Sequence, residues 1–193
     1  MLAALVLLGA SAPVPPAPMA LEDRSTGQGA VLFSAFIDSR GDAMDCRIEG
    51  IVGDDFSATV CDRVMRTRFQ PAKGPDGKPA FGVVREMANF WKAGAGGGQY
   101  PVKLRAELAV QVKPVAGFLT DARDVPVAVV IDGDGRISNC AAIAPETPAQ
   151  LAKVACAQLR AQWTDTPLEY PEGTPRSYVR RLTVSFEPEA AKP

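Results

Sequence analysis

"VVIDGDGRISNC", residues 129–140, decides how this chain is read. Asp132-Gly133-Asp134-Gly135 has the look of a calcium loop. An EF-hand loop needs oxygen ligands at alternating positions and a bidentate Glu at its twelfth. Counted from Asp132, the fifth position is Arg136 and the twelfth is Ile143. A cation and a hydrocarbon cannot ligate calcium. The stretch therefore reads as a tight turn joining two apolar, alternating runs, with Gly and Asp supplying the turn. "AFIDSRGDAMDC", residues 35–46, has the same skeleton of apolar run, Ile-Asp, turn residues and Cys. There Ser39-Arg40-Gly41-Asp42 makes the turn.

The likeness extends along the chain. Ile37-Asp38 and Ile131-Asp132 stand 94 apart, as do Cys46 and Cys140, while Cys61 and Cys156 stand 95 apart. "REMANF", residues 85–90, aligns with "RLTVSF", residues 181–186, at 96. Four anchors with slowly drifting spacing mark an internal duplication. Each copy reads as strand, turn, strand, helix, strand. In the first, Val31, Phe33, Ala35 and Ile37 alternate, then Met44, Cys46 and Ile48 alternate with Asp45, Arg47 and Glu49. Phe56, Val60, Cys61, Val64 and Met65 make a helical face. "PAKGPDGKP", residues 71–79, stops the helix, with turns at Gly74 and Gly77. "FGVVREMANFW", residues 81–91, closes the copy. In the second, Val127, Val129 and Ile131 lead to the turn, and Cys140 and Ala142 follow it. Ala152, Cys156, Leu159 and Trp163 make the helical face. Leu182, Val184 and Phe186 alternate along the last strand. "KLRAELAVQV", residues 103–112, reads as an extra strand introducing this copy, with a short helix as the alternative.

Four Cys permit three connectivities. Each copy places one Cys on the core face of its second strand and one on the core face of its helix. Cys46–Cys61 and Cys140–Cys156 are thus the natural bridges. Each closes a loop of about 15 residues, worth roughly 3 kcal/mol by the chain-entropy estimate. No pair has the C-x-x-C spacing of a zinc knuckle or a thioredoxin-type site.

The totals narrow the function. The 193 residues carry 47% hydrophobic side chains and a formal charge of -1, which gives no electrostatic case for nucleic acid or an anionic membrane. There is no His, which excludes Ser-His-Asp and Cys-His catalysis and removes the commonest zinc ligand. Asp38, Asp42 and Asp45, or Asp132 and Asp134, are the available carboxylate sets. They sit in turns, where such residues are solvated turn formers, with no nucleophile beside them. The expectation is a non-enzyme without cofactor or metal. "MLAALVLLGASA" closes on the small residues a signal peptidase accepts and is too short to span a bilayer. The expected organisation is a signal peptide at 1–12 and a disordered spacer at 13–30. A first module follows at 31–92, a Gly-rich linker at 93–99, a second module at 100–187 and a tail at 188–193. The expected fold is α+β: two tandem small ββαβ modules, each an antiparallel sheet with one helix packed on it and one disulfide. An even Cys count behind a signal-like segment places the chain in the periplasm or outside the cell.

The order strand, turn, strand, helix, then Arg68-Phe69-Gln70-Pro71-Ala72, the Gly77-Lys78-Pro79 turn and a closing strand ending in Phe90 resembles the C-terminal domain of TonB. The "R-F-x-P-A" segment is its most specific part. The second copy keeps hairpin, helix and closing strand, but has Trp163 in the place of Phe69 and "TDTPLEYPEG" for "QPAKGPDGKP". The resemblance implies a periplasmic protein-binding module that adds a peptide or receptor segment to a sheet edge. Its partner would be an outer-membrane receptor, in energy-coupled transport. It places that edge on the closing strand: Val83, Val84, Arg85, Glu86, Met87, Ala88, Asn89 and Phe90. Outward polar residues Arg85, Asn89, Arg181, Thr183 and Ser185 suit reversible binding. The alternative is a non-catalytic structural protein of the cell envelope, for which an apolar patch at Trp91 and Tyr100 would speak. Packing between the copies is the other account of those two residues.

Overall fold

The computed structural model describes residues 10–14, 20–23, 29–92, 104–113, 122–165 and 176–189. The expected linker at 93–99, Tyr100 and most of the expected signal segment lie outside these. The chain divides into two compact units. The first comprises Ala12–Ala72 and Pro79–Arg105. The second comprises Ala106–Pro193, Lys73–Lys78 and the segment ending at Ser11.

The first unit contains β1 (Ala20–Asp23), β2 (Gly29–Ile37), β3 (Ala43–Gly53) and α1 (Ser57–Arg66). A short two-stranded ladder, β4 (Ala72–Lys73) with β5 (Pro79–Ala80), precedes β6 (Gly82–Lys92) in sequence. β2 pairs antiparallel with β3 on one side and with β6 on the other. The alternation of Val31, Phe33, Ala35 and Ile37 puts all four on the buried face. Val60 and Val64, one helical turn apart, close over them together with Phe69, Val84, Ala88 and Phe90. Phe56, at the start of α1, stacks on Phe90 with ring centroids 4.2 Å apart, which fixes where the helix enters. Met65 and Met44, expected in the core, are exposed. Met44 is the extra residue of a bulge: Phe36 pairs with Asp45 and Ile37 with Ala43, so Ala43 takes the core position.

The second unit contains β7 (Leu108–Val112), β8 (Arg123–Ile131), β9 (Ile137–Ala142), α2 (Ala149–Gln162) and β10 (Tyr178–Pro188). β8 pairs antiparallel with β9 and β10. A bulge follows its turn too, with Ser138 skipped between Asn139 and Ile137. Leu151, Ala155, Cys156 and Leu159 form the buried helical face, so Leu151 and Ala155 replace the expected Ala152 and Trp163.

The expectation of purely antiparallel sheets is corrected. β1 runs parallel to the end of β6, and β7 runs parallel to the end of β10. Of the expected strand at 103–112, residues 108–112 form β7, while 104–107 are in neither strand nor helix. β1 falls within the stretch expected to be a disordered spacer. Both disulfides are present as expected, Cys46–Cys61 and Cys140–Cys156. Among the described residues the fold is α+β with mixed pairing, and each unit has one helix and one disulfide.

Candidate functional site

Both hairpin turns are built alike. The Asp38 N–H donates to the Asp42 carbonyl at 2.9 Å, and the Gly41 N–H donates to the Asp38 carbonyl at 3.0 Å. The Asp132 N–H donates to Arg136 and the Gly135 N–H to Asp132 at 2.9 and 3.0 Å. Gly41 and Gly135 have φ of 92° and 78°, a conformation that side chains disfavour. The Asp38 carboxylate accepts from the N–H of Arg40 and of Asp42 at 2.8 and 2.9 Å. Asp132 accepts from Asp134 and Arg136 at 3.0 and 2.9 Å. The Asp132 carboxylate of the "DGDG" segment is thus spent on its own turn. Burial pushes the Asp38 carboxyl up, but the Asp42 N–H and the Arg40 guanidinium and N–H outweigh it and hold it below its ordinary value.

The segment after α1 returns to this turn. Arg68 forms an ion pair with Asp42, and the Phe69 N–H donates to the Gly41 carbonyl at 2.9 Å. A Cβ on Gly41 would meet the Phe69 oxygen at 2.1 Å, so glycine is required there twice over. In the second unit it is Asp165 whose N–H donates to the Gly135 carbonyl, at 3.0 Å. The sequence alignment of Trp163 with Phe69 is therefore corrected. α2 continues further past its Cys than α1 does, and Asp165 takes the position.

This exchange is matched across the sheet. Gly82 begins β6 opposite Ile37, and Tyr178 begins β10 opposite Ile131. The first unit thus has Phe69 with Gly82, and the second has Asp165 with Tyr178. The buried Tyr178 hydroxyl donates to Asp165 at 2.6 Å, and Arg180 donates to the same oxygen at 2.8 Å. Burial raises the Tyr178 pKa, and the bond to Asp165 and its charge raise it further, with Arg180 opposing. The Arg180 guanidinium also lies 5.7 Å from the centroid of the Trp163 ring.

Beside Gly82 the first unit holds a different filler. A Cβ there would meet the Pro13 ring at 2.3 Å and the Ala72 Cβ at 2.9 Å. Pro13 is buried, and Val14 next to it exchanges both backbone bonds with Gln70, at 3.2 and 3.0 Å. Ser11 exchanges the same pair with Lys73, at 3.0 and 2.9 Å. Three residues of "R-F-x-P-A" thus have distinct places: Phe69 in the core, Gln70 on an extended segment, Ala72 against a proline ring.

The expected binding edge lies on β6. Gly82–Phe90 pair in full with β2, and Asn89 and Phe90 also pair with Ala20 and Leu21 of β1. The expectation that nothing covers the end of this strand is corrected at Asn89 and Phe90, which have a strand on both sides. Arg85 donates to Glu49 at 2.6 Å, so its outward side chain already has a partner. Trp91 is the penultimate residue of β6. Among the described residues of the first unit, β1 and β3 are each paired on one side only, and β3 is much the longer of the two. It has 11 residues, and its end exposes Ile51 and Val52 at 44% and 42%. Sequence reasoning passed over this edge because the strand resemblance pointed to the closing strand. No protein-family model, curated protein or solved structure matches the chain.

Proposed function

We propose that this chain is a non-enzymatic, extracytoplasmic protein-binding module, similar to the C-terminal domain of TonB, that takes up an extended segment of a partner protein by strand addition. The outer edge of β3 is the acceptor. The observation that carries this is the one-sided pairing of a strand 11 residues long. Such an edge presents unpaired N–H and C=O groups to any extended chain. Its first half is guarded: the Cys46 N–H is taken by the Asp45 carboxylate, and Arg47 pairs with Asp45 at 2.8 Å. Its second half, Gly50-Ile51-Val52-Gly53, carries no charge and exposes two apolar side chains. A segment docking there gains backbone bonds and apolar contact together. The two units are read as copies of one module, supported by their matching turns, bulges, disulfides and parallel leading strands. The second copy's counterpart edge, β9, has only 6 residues, which makes it the poorer acceptor. Two disulfides favour an oxidising compartment. Among the described residues no helix is long and apolar enough to cross a membrane. An outer-membrane receptor is the kind of partner the resemblance suggests.

Peptides selected from a random library on the full chain test this. Hydrogen exchange should slow at residues 43–53 on binding. N-methylation of alternate amides of the bound peptide should abolish binding in one parity and spare the other. Protection at Val83–Phe90 in place of β3, or tolerance of N-methylation in both parities, refutes the assignment.

A further inference from the structure

The two units close the same gap in different ways. In the second, Tyr178 fills the space at the start of the closing strand with its own side chain, held by Asp165. In the first, Gly82 leaves a notch, and the filler is the ring of Pro13. Tyr178 is covalently part of the strand it completes. Pro13 belongs to a short piece of chain that precedes the strands of the unit in sequence. A filler of that kind can leave without unfolding what it covers, because its hold is local: one buried ring and the paired bonds of Val14 with Gln70 and of Ser11 with Lys73.

We infer that the notch formed by Gly82, Ala72 and the backbone of Gln70 is a binding site for an extended, proline-containing protein segment, and that the chain's own Ala12-Pro13-Val14 occupies it in cis. The chemistry of the ligand follows from the occupant. Proline suits the buried position because it has no N–H left to satisfy there. The residue after it must be free to donate to and accept from Gln70, as Val14 does. Its side chain is unrestricted, since Val14 is 52% exposed. The site goes beyond the proposed function at β3 and shares no residue with that edge. A tethered occupant on a short linker competes as if present at about millimolar concentration. A free segment therefore binds the unaltered chain weakly, and release of the tethered piece turns the site on.

The test uses the full chain and a fluorescent peptide of residues 9–16, GASAPVPP. Pro13→Asp in the chain places a charge in the notch and should evict the occupant. That variant should bind the peptide at least tenfold more tightly than the parent, and a peptide with Asp in place of its first proline, the one corresponding to Pro13, should bind neither. Adding Gly82→Ala, which fills the notch, should abolish binding. Equal affinity for parent and Pro13→Asp, or binding indifferent to the peptide's first proline, overturns the inference. A second measurement needs no variant. In the parent, excess peptide should speed hydrogen exchange at the Val14 amide while the Gln70 amide stays protected, because the free segment replaces the tethered one. Unchanged exchange at Val14 at the highest soluble peptide concentration overturns the inference as well. A ligand of the β3 edge alters exchange at residues 43–53 and leaves Val14 untouched, so the two proposals fail separately.

Discussion

Replacing Asp38 by alanine removes one acceptor from two backbone donors at once. Asp38 is 6% exposed, and its carboxylate takes the N–H groups of Arg40 and Asp42 and the Arg40 guanidinium. A hydrogen bond to a charged group contributes about 1.5–3 kcal/mol. The turn borders water, so the freed donors recover part of that by hydration. The Arg40 side chain is exposed, and its ion pair adds no more than about 0.5 kcal/mol. The expected loss for Asp38→Ala is about 2–3 kcal/mol at pH 7. Asp38→Asn keeps a carbonyl oxygen for the same two donors and should cost about 1 kcal/mol. Protonation supplies a further check. The folded carboxyl titrates below its ordinary value, so its stabilisation is fully present above the unfolded value of about 4 and is lost as pH falls through the folded one. The gap between parent and Asp38→Ala should therefore narrow in acid. Urea titration, read by hydrogen exchange in residues 29–53, reports the first unit alone. Equal costs for alanine and asparagine at pH 7, or an undiminished gap at pH 2.5, would refute the role assigned to this carboxylate.

The other expectations concern the bridges and the tyrosine. Peptide mapping without reduction should join Cys46 to Cys61 and Cys140 to Cys156, and replacing both Cys of either pair by Ser should lower that unit's stability by about 3 kcal/mol. Tyr178→Phe deletes the donor to Asp165 and should cost about 1–3 kcal/mol in the second unit, measured by exchange in residues 123–142; a loss that spreads equally to residues 29–53 would contradict the separate units.

Much of this was legible in the residues because the signals are local. A turn Asp, a Gly three residues on and an alternating strand specify a hairpin within a dozen positions. Cys46 and Cys61 could be paired because strand and helix periodicities put both on one face. The bulges were not legible. Inserting Met44 into the ladder reverses which neighbour faces the core, and no residue type announces it. Glu49 is a second such case: Phe33 pairs with Ile48 and Leu32 with Gly50, leaving Glu49 outside the register and bonded to Arg85. The parallel strands were missed for another reason. Ala20–Asp23 carries two acidic residues and lies in a Pro-rich stretch, and its partners are Asn89–Lys92, far along the chain. Pairing at that separation leaves no periodic trace. The site near Gly82 was hidden because a glycine opening a strand looks like punctuation, and Pro13 looks like part of a spacer. Their meaning appears only when Tyr178 is seen in the equivalent place.

That difference bears on how a unit of this kind can travel through evolution. A unit whose gap is closed by an upstream strap is tied to its leader: moved to the middle of another chain, it would arrive incomplete. A unit that carries Tyr178 and Asp165 brings its own plug and can be spliced in anywhere. The second unit has this portable form.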